Sequence, residues 1–199
     1  MSKTTSQENA VLDAGITGYW AAFSTLITEA GSGTEVTGTS YARVNLASLM
    51  ASASGGAKAS ASEIAFPTSG AAWPTIKSFG LMDASSGGSV KRRVPCVQAW
   101  SMFSAATDGT FYVPGHSFSN SDIVVLSGKN LPGGVNSETE YYVVNSASGT
   151  LQLSLTDGGA AVTISTVGGG RIGELAPVIV NASGVIVRIP AGSLTFYED

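Results

Sequence analysis

Charge is what this chain lacks first. Only 12% of its 199 residues are Asp, Glu, Lys or Arg, about half of the roughly 25% usual in soluble proteins. A surface so poor in charge has to be clothed in Ser, Thr, Gly, Asn and Ala, which suits a protein packed against other subunits. Ten Lys and Arg against fourteen Asp and Glu leave a net charge of −4. A nucleic-acid backbone requires a concentrated basic face, so nucleic acid is excluded as the main partner. The only basic run, Lys91-Arg92-Arg93, is too short for a DNA or membrane patch and reads as a solvated turn or as residues with local carboxylate partners.

Cysteine and histidine are nearly missing too. The single Cys96 excludes an internal disulfide and a cysteine zinc site. Flanked by Val94, Pro95 and Val97, it reads as a small buried apolar residue. His116 is the only histidine and stands in the turn-like Pro114-Gly-His-Ser117. With only Cys96 and Asp122 as conceivable helpers, it reads as a loop residue rather than a catalyst. No H-x-x-H, D-x-D-x-D-G or G-x-S-x-G pattern occurs. Asp13, Glu29, Glu35, Glu63 and Asp83 show no spacing that marks a glycosidase pair. Catalytic, cofactor and metal sites are therefore all expected to be none. No apolar run approaches ~18 residues, and the N-terminal MSKTTSQENAV has no apolar stretch after its basic residue. Neither a membrane span nor a secretory signal is expected, and the chain reads as made in a cytoplasm.

What is present points to β-structure. Thr5 with Glu8 fits a capping box, and Ala10, Val11 and Ala14 supply an apolar stripe before Gly15, so a helix is expected over Thr5 to about Gly15. Strands are expected at Ile16–Thr28, Ser40–Leu46, Glu63–Phe66 and Thr75–Met82. Ala47–Ser62 is Ala/Ser/Gly-rich and is assigned no element. Phe66–Ser89 carries Trp73 and the partly alternating Ile76–Leu81, and it ends on the glycine turn at Gly87-Gly88.

From Phe111 the strands shorten: Asp122–Leu126, Glu140–Val144, Leu151–Leu155 and Ala161–Ser165. Asp157-Gly158 is read as a type I′ hairpin turn and Asn145–Gly149 as a longer loop. Together these predict an antiparallel unit of about 4–6 strands. Val167–Gly173 reads as a linker. It contains Gly168, Gly170 and Gly173 in G-x-G-x-x-G spacing, but a β-like run follows instead of a helix, so nucleotide binding is rejected. Two more strands, Ala176–Val180 and Val185–Ile189, and a closing strand Leu194–Tyr197 are expected. The aromatics are the better functional clue. Tyr112, Tyr141 and Tyr142 offer rigid amphipathic area for a partner or a glycan, although core packing competes for such residues.

At Ser32–Val44, Ala65–Ser89 and Pro190–Asp199 the chain resembles a widespread family of small bacteriophage proteins labelled tail-fibre or virion structural proteins. Tyr41-Ala-Arg-Val44, Phe66-Pro67, Trp73, Phe79-Gly80, Asp83-Ala84, Gly87-Gly88 and Ala191-Gly-Ser-Leu-Thr195 carry the resemblance. Family members pass from the Gly-Gly turn directly into a strand, so the residues from about Lys91 to Arg171 look like an insertion. Within it, Phe118–Asp122, Leu131–Val135, Tyr141–Asn145 and Leu151–Ser154 are similar to a small β module of other phage virion proteins.

The resemblance implies a mainly β protein, with a β-sandwich-like base and a short N-terminal helix. Residues 1–90 plus 172–199 would form a discontinuous virion-attachment base, and 91–171 an inserted antiparallel β module. It implies a non-enzymatic virion structural protein, either a capsid decoration or cement protein or a tail-fibre or baseplate component. Its partners would be other virion proteins and further copies of itself, with no nucleic acid and no membrane. The alternative is an adhesin module that binds host-surface glycan through Tyr112, Tyr141 and Tyr142.

Overall fold

The computed structural model describes residues 3–137 and 139–197. The ends of the MSKTTSQENAV and Pro190–Asp199 stretches, Met1-Ser2 and Glu198-Asp199, lie outside them. The chain forms two compact units, one of residues 1–94 and 178–199 and the other of residues 95–177.

In the first unit, helix α1 spans Thr5–Gly15 and is capped by Thr4, one residue before the position expected. The Thr4 hydroxyl accepts from the Gln7 amide while the Gln7 side chain accepts from the Thr4 amide, so Gln7 closes the capping box in place of Glu8. Leu12 is the helix's buried anchor.

Next come β1 (Tyr19–Phe23), β2 (Val44–Asn45), β3 (Ala57–Ala59), β4 (Ile64–Ala65), β5 (Ser78–Met82) and β6 (Val90–Pro95). A four-stranded sheet runs in the order β2-β1-β5-β6. Antiparallel pairing sets Tyr19 against Met82 and Phe23 against Ser78. Because side chains alternate across a strand, one face gathers Ala21, Phe23, Ile27 and Met82. The other face presents Trp20, which stacks on Phe79 at 5.8 Å.

A second layer covers that other face. Segment 178–197, with β13 (Arg188–Ile189) and β14 (Thr195–Tyr197), runs antiparallel to residues 57–76. The pairing extends along the segment although its register shifts by a residue and only short pieces are regular strand. Ile76 and Val178 exchange amide bonds of 2.9 and 2.8 Å, the Trp73 amide donates to the Val180 carbonyl, Phe66 to Val187 and Ser60 to Leu194. Phe196 meets Trp20 edge-on at 6.1 Å, and Phe66 meets Phe79 at 5.9 Å. Two layers therefore close on one aromatic core, which makes the first unit sandwich-like.

Two sequence expectations change here. Ser40–Leu46 contributes only Val44–Asn45 to a strand, because Tyr41 and Arg43 turn their side chains into a polar network. Lys91-Arg92-Arg93 belongs to β6 and is not a turn. Basic residues on an outer strand discourage a further strand from adding there.

The second unit contains β7 (Val97–Ala105), β8 (Phe111–Tyr112), β9 (Ile123–Ser127), β10 (Tyr141–Ala147), β11 (Thr150–Ser154) and β12 (Gly168–Leu175). They close a six-stranded antiparallel barrel in the order β10-β11-β8-β7-β12-β9. Closure removes free sheet edges. Phe103, Phe111, Val124, Leu126, Val143, Leu151, Leu153 and Ile172 fill the interior. The unit's two ends meet, since the Ala176 amide donates to the Cys96 carbonyl at 2.8 Å.

The glycine run expected to be a linker is the barrel's β12. It pairs on one side with β7 from Gly168↔Ala105 to Leu175↔Val97 and on the other with β9. Steric space explains why glycine is used there. A Cβ on Gly168 would fall 2.4 Å from the Pro132 nitrogen, and one on Gly170 would fall 2.5 Å from the Ser127 carbonyl oxygen.

Ala161–Ser165 does not become a strand and keeps only a bridge from Ala161 to Ser154. Asp157-Gly158 is not a type I′ turn, because positive φ occurs at Gly158 (63°) but not at Asp157. The Gly159 amide donates to the Thr156 carbonyl, the pattern of a type II turn. The loop expected at Asn145–Gly149 is shorter than predicted, since β10 runs on to Ala147 past an irregularity after Val144.

Candidate functional site

In the first unit the most concentrated polar constellation is built on Arg43. Its Nε and Nη2 atoms donate to the two oxygens of Glu35 at 2.8 and 2.6 Å, a bidentate pair. Its Nη1 reaches the Ala84 and Gly87 carbonyls at 2.6 and 2.8 Å. The Tyr41 hydroxyl donates to Glu35 at 3.0 Å and accepts the Ala22 amide at 2.9 Å. The Arg43 guanidinium holds the Glu35 carboxyl below its ordinary range, with help from the Tyr41 hydroxyl and against partial burial. Burial drives the Tyr41 phenol well above its usual value. Every group in this network is occupied by another, so it ties the Asp83–Ser89 turn to the sheet and leaves no free acid or base.

The other carboxylates weighed as acid–base pairs are likewise taken singly. Asp13 accepts from Lys58 and the Ala53 amide, Glu29 pairs with Arg93, Glu63 with Arg188, and Asp83 accepts the Ser89 amide. His116 accepts the Phe118 amide at Nδ1 (3.1 Å), and its Nε2 lies 3.3 Å from the Thr150 carbonyl, which assigns the Nε2–H tautomer. Cys96 has its thiol pushed up to about 12 by burial, the opposite of an activated nucleophile. Among the described residues no group of three or more His, Cys, Asp or Glu is placed to hold a metal ion, and no helix is long and apolar enough to cross a membrane.

The three tyrosines separate. Tyr141 is 2% exposed and sits in the barrel core, with its hydroxyl accepting the Asn136 amide at 3.0 Å. It is thus corrected from a contact residue to a packing residue, because the inward phase of β10 takes Tyr141 and Val143 together. Tyr142 points outward and is half-buried, opposite Ser154. Tyr112 is outward and 46% exposed, opposite Ser104 on β7 and Thr150 on β11.

Tyr112 has company that its sequence neighbourhood did not announce. Phe103 and Ala105 point into the barrel, so Trp100, Met102 and Ser104 on β7 point out. On β12 the outward positions are Gly169 opposite Ser104, Arg171 opposite Met102 and Gly173 opposite Trp100. Met102 is 68% exposed. The Arg171 guanidinium lies 5.8 Å from the Trp100 ring centroid. Trp100-Ser-Met-Phe-Ser104 does not alternate cleanly in the sequence, and its partner strand was hidden by its reading as a linker.

Residues 4–95 match a protein-family model described as "Podophage GP4 fiber I protein gp80". Neither a curated protein nor a solved structure matches the chain. The matched stretch contains α1, β1 to β6 and the Glu35–Arg43 network, and it excludes segment 178–197. Over residues 4–95, slightly under half of the chain, the sequence is thus similar to a family of phage fibre proteins.

Proposed function

We propose that this chain is a non-enzymatic structural component of a phage fibre that acts by assembly as a homo-oligomer. Residues 1–94 with 178–199 would serve as the base that seats on other virion proteins, and residues 95–177 as a module inserted into it. The observation that carries the reading is the family match over residues 4–95, combined with the return of segment 178–197 onto residues 57–76 of that stretch. A base completed by strands from both sides of a module whose ends meet tolerates such an insertion. The saturated Glu35–Arg43 network and the separately paired carboxylates favour architecture over catalysis.

Cryo-EM of whole particles, with mass spectrometry of the purified virion, tests the assignment. Density for the chain at the tail fibre is expected. Density on the capsid lattice would favour a decoration or cement protein, and absence from purified particles would remove the virion assignment. A second reading, surface recognition by the module, is favoured by exposed Tyr112 beside Met102 and Arg171 on one barrel face.

A further inference from the structure

The chain contains two Asp-Gly pairs, Asp108-Gly109 and Asp157-Gly158, and both lie in the second unit. Glycine has no side chain to shield its amide nitrogen, so in such a pair the nitrogen can approach the carboxyl carbon of the preceding aspartate. The two pairs are held in opposite ways.

At Asp108-Gly109 both reacting groups are engaged. The Asp108 carboxylate accepts the Thr110 amide at 2.9 Å, and that bond holds its carboxyl below the ordinary range. The Gly109 amide donates to the Ala106 carbonyl at 3.1 Å. Space is short as well, since a Cβ on Gly109 would lie 3.3 Å from Gln152 Nε2.

At Asp157-Gly158 neither group is engaged. Among the described residues no hydrogen bond or ion pair takes the Asp157 side chain or the Gly158 amide. Asp157 is exposed, and a Cβ on Gly158 would meet nothing within 4 Å. The turn is fastened only on either side of the pair, where the Gly159 amide donates to the Thr156 carbonyl at 3.0 Å and the Thr156 amide to the Ser154 hydroxyl at 3.2 Å. No Asn-Gly pair competes. The asparagines that precede serine, Asn120, Asn136 and Asn145, each have their side chain in a hydrogen bond.

We propose that Asp157-Gly158 is a self-modification site, at which the chain converts its own backbone to an isoaspartyl link while Asp108-Gly109 stays intact. The Gly158 nitrogen attacks Cγ of the neutral Asp157 carboxyl. Its proton and the carboxyl hydroxyl leave together as one water, and a five-membered succinimide remains. One water then opens that ring. Cleavage of the bond from nitrogen to Cγ restores aspartate. Cleavage of the bond from nitrogen to the backbone carbonyl carbon routes the main chain through Cβ and Cγ, one methylene longer, with the α-carboxylate as the new side group. The water consumed equals the water released, so no oxidant or partner is required. Gly158 and Gly159 line, with Asn120, Ser121 and Asn145, a surface notch of about 250 Å³, and the added methylene reshapes it. The β10 and β11 ladder and the bond from the Val162 amide to the Leu153 carbonyl lie outside the altered link, so the barrel is expected to keep its unfolding transition.

The test is to age the full chain in warm, mildly acidic buffer beside a sample kept unfolded in urea. Trypsin, cutting after Arg93, Lys129 and Arg171, puts the two pairs on different peptides, and electron-transfer fragmentation distinguishes isoaspartate from aspartate in each. In urea the pairs should convert at comparable rates. In the folded chain isoaspartate is expected to accumulate at 157 and to form at least about tenfold more slowly at 108, where the reacting groups are held apart. In water enriched in heavy oxygen, the isoaspartate should carry the label, because the ring is opened by solvent. Asp157→Glu should abolish the product without changing thermal unfolding, since its ring would need six members. Absence of isoaspartate at 157 in the folded chain, equal rates at the two pairs when folded, or product without label would overturn the proposal.

Discussion

Replacing Arg43 with Met tests whether the base is held by its polar network as well as by its aromatic core. Arg43 is 5% exposed in its side chain and Glu35 27% exposed. The variant leaves a half-buried carboxylate without its cation. That costs about 3 kcal/mol, the low end for breaking a buried pair, because Glu35 retains some contact with water. The Ala84 carbonyl, which is part-buried, loses its donor for about 1 kcal/mol more, whereas Gly87 faces solvent and loses little. The expected destabilisation is therefore about 4 kcal/mol.

Urea unfolding followed by tryptophan emission measures this if Trp100→Phe is the background, because Trp20 and Trp73 then report the base alone. Acid supplies an internal control. The Glu35 carboxyl is held low in the folded protein, so its contribution is present above its unfolded value and disappears as pH falls through the folded one. In Arg43→Met the depressing partner is gone and protonation relieves the orphaned charge. The gap between parent and variant should thus narrow steadily below about pH 4.3, the ordinary Glu value. Removing both partners in Glu35→Met/Arg43→Met should recover part of the loss. A loss under about 1 kcal/mol, or a gap unchanged by acid, would refute the reasoning.

Trp73→Ala should cost the base roughly 3–5 kcal/mol, since the ring is 5% exposed, meets Tyr41 edge-on at 5.4 Å and donates to the Thr39 carbonyl at 3.1 Å; equilibrium unfolding reads it. Gly170→Val should disrupt the barrel, because its Cβ would press on the Ser127 carbonyl and the Leu131 and Phe103 side chains, and Trp100 emission in a Trp20→Phe/Trp73→Phe background reads the loss. Deleting residues 95–177 with a short linker should leave a base that unfolds cooperatively in calorimetry, and a molten product would count against the insertion. Truncation after Pro177 should instead cost the base its cooperative transition, and added peptide 178–197 should restore it in a titration followed by circular dichroism.

The sequence shows its alternation more clearly than its partners. The helix was legible because capping chemistry is local, and the error of one residue at Thr4 is the small uncertainty of any terminus. Leu151-Gln-Leu-Ser was legible because one face of the barrel wall is buried and the other wet. The strand Gly168–Leu175 was not, because composition alone cannot distinguish a flexible glycine run from one selected to let backbones approach closely. Tyr141 and Tyr142 have the same chemistry, and only their phase against Val143 separates packing from surface. The face around Arg171 needed three strands from distant parts of the chain, which no local pattern supplies.

The hydrogen bond that joins Ala176 to Cys96 also has a thermodynamic meaning. While the barrel is folded, the surrounding chain experiences the second unit as a closure only one strand spacing wide. If the barrel melts, the same junction becomes a floppy loop of about 80 residues, and closing such a loop costs roughly 4 kcal/mol. The two units are therefore energetically linked, and the linkage is reciprocal. Loss of the barrel taxes the base, and a more stable barrel acts on the base as a shorter loop would.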